Sequence, residues 1–148
     1  MAYCETKYLG TMEYEEASAL AFPRGIFGFS EEDCFLLVQR ANEYPLVHMQ
    51  SVRSPDLCFV ALPVLTVDST YGLQLSDPDA ALLGLEANPT FGKEALCVAI
   101  ITMDQVCPTA NLLAPVVVNV STGVAAQCIN VAGTYDTQAP LLSTEAAL

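Results

Sequence analysis

Short runs of β-branched and other apolar residues, each cut off by turn-forming residues, set the limit on what this chain can fold into. The runs are CFLLVQ (34–39), LVHMQSV (46–52), LCFVAL (57–62), ALCVAIITM (95–103), PVVVNV (115–120) and AAQCINVAG (125–133). Between them stand Asn42 and Pro45; Ser54, Pro55 and Asp56; Asn88, Pro89 and Gly92; and Ser121, Thr122 and Gly123. Val, Ile and Phe suit a pleated, half-buried surface. Punctuation every ~8–12 residues points to a sandwich or barrel. The expected fold is all-β: a small antiparallel β-barrel-like domain with one or two short helices.

One segment breaks the pattern. SDPDAALLGL (76–85) reads as a helix, with Asp77 as cap, Pro78 at the first position, Asp79 at the positive end and Gly84 as the stop. SEEDCF (30–35) can open with another helical turn capped by Ser30. The 148 residues suit one domain over 1–148. Leu141 and Leu142 are expected to dock the C-terminal segment, and 143–148 to fray.

Seventeen acidic residues against five basic ones give a formal net charge of −12. Such a surface repels phosphate, which argues against direct nucleic-acid binding. It favours a basic protein partner or a cation, or simply keeps an apolar domain soluble. No run of ~18 apolar residues is present, so no membrane span is expected. The first residues, MAYCE, lack a basic region followed by an apolar one, so no secretory signal is expected either. Cys34, Cys58, Cys97 and Cys128 lie within apolar runs, where cysteine acts as a small hydrophobe. With no Cys-x-x-Cys pair among the six cysteines, free thiols in a cytoplasmic protein are the expectation.

Residues that carry chemistry are sparse. His48 is the lone histidine, on a strand where Leu46, His48 and Gln50 share one face. A small hydrolase or isomerase would need it in a cleft beside a hydrogen-bonded acid; otherwise it is a strand-surface histidine. Asp77 and Asp79 are accounted for by helix capping, and no calcium-loop pattern follows them. Neither GxxxxGK[ST] nor GxGxxG occurs. The reading is a binding protein: no catalytic residues, no cofactor, no metal.

Two stretches stand out as partner-binding candidates. In FPRGIFGF (22–29), Pro23 and two glycines shape an irregular wedge dense in aromatic mass. Either Phe22, Ile26, Phe27 and Phe29 all plug one end of the barrel, or Ile26 or Phe27 stays exposed as an anchor. In TANLLAPVVVN (109–119), Asn111 can bond its own backbone and Pro115 marks an edge or bulge. An edge beside Leu112 and Leu113 could receive a partner segment, or proline could merely frame the strand.

The ordered motifs resemble the FliW flagellar assembly factor family. They are LGTMEYEEASALAFPRGIFGF (9–29), LVHMQSVRSPDLCFVALP (46–63), DSTYGLQLSDPDAALLGL (68–85) and TANLLAPVVVNVSTGVAAQCI (109–129). Departures are Met49 for a usual leucine, Leu62 where an acid is common, and Gln138 where arginine is frequent. The resemblance implies a cofactor-free cytoplasmic protein with two protein partners: flagellin, and the translational repressor CsrA. Binding CsrA would relieve repression, and flagellin would compete by occupying the factor, coupling translation to export. Given an RNA-binding and therefore basic repressor, Glu13, Glu15, Glu16, Glu31, Glu32 and Asp33 become candidates for facing CsrA, with an apolar groove left for flagellin. The rival readings are the His48 enzyme and a generic acidic interaction module.

Overall fold

The computed structural model describes residues 1–103 and 107–141. It is built mainly of strands. β1 (Ala2–Glu5) and β2 (Thr11–Tyr14) form a separate hairpin, with Cys4 opposite Met12. The main sheet uses β3 (Leu20–Ala21), β4 (Cys34–Val38), β5 (Val47–Ser51), β6 (Cys58–Pro63), β7 (Ala95–Thr102), β8 (Thr109–Ala110), β9 (Val116–Asn119), β10 (Ala125–Gln127) and β11 (Ala139–Pro140). Between β6 and β7 lie two short helices, α1 (Val64–Val67) and α2 (Asp77–Leu83). No helix among the described residues is long and apolar enough to cross a membrane.

The strands run β10-β9-β7-β6-β5-β4-β3, all neighbours antiparallel. β8 pairs with the last residues of β7, and β11 pairs with β8. The sheet curls until its two ends touch. One parallel bridge joins Ala21 to Val124, and the Ala21 N–H donates to the Gly123 carbonyl at 2.8 Å. The shape is therefore barrel-like, while the ladder itself stops short of full closure.

Alternation along the strands creates two cores. Phe22, Phe35, Met49, Ala61, Val98, Val116, Val118 and Ala125 fill the inside of the curl. On β7, β9 and β10 the opposite faces carry Cys97, Ala99, Val117 and Ala126, and these are covered by Tyr71, Leu73, Leu75, Leu83 and Leu112. Buried Asn130 ties this outer layer together. It donates to the Tyr71 hydroxyl at 3.0 Å, and that hydroxyl donates to the Leu112 carbonyl at 2.6 Å. Burial pushes the Tyr71 phenol pKa up.

Several local expectations shift. The α2 cap is Ser76, whose hydroxyl accepts from the Asp79 N–H at 3.3 Å; Asp77 becomes the first helical residue. Ser caps as well as Asp does, and Gly84, at φ +68°, closes the helix in the left-handed conformation. The run 30–35 contains no helical turn. Glu32 and Asp33 reach across to the 51–54 loop instead, and the chain enters β4 extended. The strand expected at 125–133 ends at Gln127, because the Cys128 N–H turns to the Pro115 carbonyl and that of Asn130 to Leu113. Leu141 donates its N–H to the Pro108 carbonyl; Leu142 and 143–148 lie outside the described residues.

Candidate partner-binding site

The two ends of the curled sheet differ. At one end, β3 runs directly into the wedge of residues 22–29. Phe22 is fully buried, its ring edge-on to Phe35 with centroids 4.9 Å apart. Residues 26–29 form a tight turn in which Ile26 and Phe29 exchange backbone hydrogen bonds, with Gly28 at φ +85°. Gly25 has φ +66°, and a Cβ there would sit 2.4 Å from the Phe29 carbonyl oxygen. No other residue fits without moving the turn.

This wedge is fastened from two sides. The Phe27 N–H donates to buried Gln127 Oε1 at 2.9 Å, and Gln127 Nε2 donates to the Ala114 carbonyl. Arg24 pairs with Asp79 of α2 at 2.9 Å. Cys128, close to that pair, has its thiol pushed up to about 12, chiefly by burial and next by the Asp79 charge. Of the four apolar side chains expected either to plug or to anchor, Phe22 and Ile26 plug. Ile26 is 3% exposed, which removes it as a surface anchor. Phe29 packs edge-on against Phe59 at 5.5 Å yet stays partly open, and Phe27 at the turn tip is 54% exposed.

The opposite end has no such cover. β6 stops pairing with β7 at Pro63 opposite Val98, so Leu96 and Cys97 extend beyond it. Pro63 has no N–H to continue a ladder, and the chain turns into α1. A hollow of about 530 Å³ results, lined by Leu37, Tyr44, Val47, Pro63, Val64, Leu65, Phe91 and Leu96 among others. A second hollow of about 320 Å³, lined by Leu20, Val118, Val120 and Gly123 among others, shares Leu37 and Leu96 with the first. The two are lobes of one mouth, apolar in the larger lobe and mixed in the smaller, where Ser18, Asn119, Ser121 and Thr122 join the lining. Tyr44, Leu65 and Leu96 are 73%, 45% and 42% exposed there.

The acidic candidates divide. Glu32 accepts hydrogen bonds from the Ser51 and Ser54 hydroxyls, and Asp33 pairs with Arg53 at 3.0 Å, so both hold the neighbouring loop. Glu13 accepts from the Tyr3 hydroxyl at 3.4 Å on the outer face of the hairpin. Glu15, Glu16 and Glu31 are exposed. The 109–115 segment is no free edge. Asn111 Oδ1 accepts from the Ala114 N–H, as expected of a local bond, but the Leu112 and Leu113 N–H groups both donate to the Asp136 carbonyl. Leu112 and Pro115 are buried, Leu113 is half-buried, and β9 lies between β7 and β10. Proline stands just ahead of the strand, where no ladder donor is required of it.

His48 does meet an acid: its Nε2 lies 3.0 Å from Glu43 Oε1. The pair sits on the outer face of β5, lines neither lobe of the mouth, and anchors the 3-10 turn Ala41–Glu43 that precedes Tyr44. Among the described residues no three His, Cys, Asp or Glu side chains gather as a ligand set. All six cysteines are free, with Cys4, Cys97 and Cys128 buried.

The mouth residues Leu37, Tyr44, Leu65, Phe91 and Leu96 were not singled out by sequence reasoning. The one signal for them was Pro63, which cuts β6 short and bares the start of β7.

Comparison with known proteins gives a consistent result. The family model described as FliW protein matches residues 3–141. The flagellar assembly factor FliW of Bacillus subtilis is 32% identical over 138 residues, covering 92% of this chain and 94% of that protein. Its counterpart in Bacillus licheniformis is 31% identical, covering 93% and 94%. That of Leptospira interrogans serovar Lai is 33% identical, covering 85% and 83%. A crystal structure of the flagellar assembly factor FliW superposes with a TM-score of 0.83 at 33% identity, covering 95% of this chain and 96% of that one.

Proposed function

The chain belongs to the FliW family, and from that premise we propose that it binds flagellin in the cytoplasm and antagonises the translational repressor CsrA. It acts by occupancy, with no bond-making step and no cofactor. While flagellin holds it, CsrA represses; once flagellin is exported, the freed factor removes CsrA and translation resumes. The observation that carries this reading is the bare apolar mouth set in a chain of net charge −12. An apolar concavity suits a polypeptide ridge, and an acidic surround selects basic partners and speeds their encounter. The reading as an enzyme loses support because His48 and Glu43 line neither lobe of the mouth.

The test is titration of the purified chain with flagellin and with CsrA, separately and in competition. Both should bind, flagellin should reduce the amount of CsrA retained, and the CsrA affinity should fall as salt is raised. Material that ignores both proteins would end the proposal.

A further inference from the structure

We propose that the open mouth of the barrel is a docking groove for an amphipathic helix whose aliphatic ridge is flanked by lysine or arginine side chains. This deepens the reading of the chain as a polypeptide-binding factor, and rests on it, by naming where a partner segment seats and what chemistry it presents.

The shape comes first. Two lobes of about 530 and 320 Å³ meet over a saddle made by Leu37 and Leu96. Side chains of a helix ridge, spaced three and four residues apart, fit such a run of hollows. Leu96 and Leu65 stand 42% and 45% exposed at the saddle and on α1, so an incoming ridge removes apolar surface already in contact with water.

Charge then selects the flanks. Glu94 adjoins Ala95 of the larger lobe, and Glu43, already paired with His48 at 3.0 Å, adjoins Tyr44; neither carboxylate lines the lobe itself. Glu16 adjoins Ala17 at the smaller one. Glu94 accepts the Thr90 N–H at 3.0 Å, which fixes the carboxylate and leaves its charge in place. Lys93, next to Gly92, and Arg40, next to Gln39, are the cations beside the larger lobe, and the field of the whole chain is strongly negative. A helix with acidic flanks would meet repulsion, whereas one with basic flanks gains on approach and in register.

The experiment uses two labelled synthetic helices of ~18 residues, long enough to hold helical structure. One pairs a leucine ridge with lysine flanks, the other the same ridge with glutamate flanks. Each is titrated by fluorescence anisotropy into the wild-type chain, Leu96→Asp, Leu65→Asp and Ile129→Asp; flagellin is titrated in parallel. The Leu/Lys helix should bind wild type and Ile129→Asp alike and lose at least about tenfold in affinity on Leu96→Asp or Leu65→Asp. The Leu/Glu helix should bind far more weakly.

Equal binding of both helices, or indifference to both mouth substitutions in variants whose circular dichroism is native, overturns the proposal. Should one variant fail to fold, the other decides. Self-association of the wild type that Leu96→Asp abolishes would make a second copy the occupant and also overturn it. Failure of flagellin to bind, with the helices still discriminated, sinks the flagellin reading and leaves the groove standing. Flagellin bound equally by wild type and mouth variants does the reverse.

Discussion

The two ends of the curled sheet are built from similar residues and finished in opposite ways. At the wedge end, Phe22 and Ile26 turn inward, a glycine turn folds the chain back, and Gln127 and the Arg24–Asp79 pair fasten it from two sides. At the mouth, β6 stops at Pro63 and Leu96 is left in the open. Neither end is more hydrophobic than the other in any simple sense. The difference is whether a segment of the same chain is folded over the apolar side chains. Where one is, Phe22 and Ile26 are buried and stabilise the fold, while Phe27 and Phe29 at the tip stay 54% and 43% exposed; where none is, Leu65 and Leu96 of the mouth stay open.

The largest effect that would sharpen this contrast is at Phe22. Replacing it with alanine should cost about 3–5 kcal/mol, as for other fully buried aromatics, read as a lower urea midpoint with an unchanged slope. A smaller effect should come from alkaline pH. The Cys128 thiol, at an ordinary value of 9.0, is pushed up to about 12 in the folded chain. Its contribution is therefore complete below pH 9, and stability should fall by roughly 1 kcal/mol per pH unit from there towards pH 12. Cys128→Ala should flatten that slope, seen as a smaller loss of urea midpoint between pH 9 and pH 10.5. The smallest change is expected at the mouth: Leu96→Ala should move stability by less than about 1 kcal/mol, since the side chain is 42% exposed already. A loss at Leu96 as large as that at Phe22 would break the comparison.

Much of this architecture is legible in the chain. The β-branched runs fall on β4 to β7, β9 and β10 to within a residue or two at most ends, and Gly84 ends α2 where its left-handed conformation is needed. The wedge was legible as a compact aromatic plug, though not which of its side chains would turn inward. That depends on Gln127, a hundred residues away, receiving the Phe27 N–H. The mouth was not legible. In ALCVAIIT, Leu96 and Val98 look alike and both face the inside of the curl. What separates them is where a different strand, β6, stops. Pro115 misled for a related reason: lacking an N–H, it resembles an edge marker, yet it occupies a place where none is required. β3, β8 and β11 are two residues long and carry no periodic signal at all.

The seam between Ala21 and Val124 has a bearing on how the mouth works. Among the described residues a single parallel bridge, which includes the Ala21 N–H to Gly123 carbonyl bond, is the backbone pairing between β3 and the chain just before β10. Leu20 and Gly123 beside that seam also line the smaller lobe. The girth of the shell is thus set at its most loosely laced line, directly beside the smaller lobe. Spreading the rim to accept a bulkier ridge strains a couple of contacts, whereas a sealed tube would have to tear a whole ladder. Compliance of this kind would let the proposed groove take ridges of more than one width.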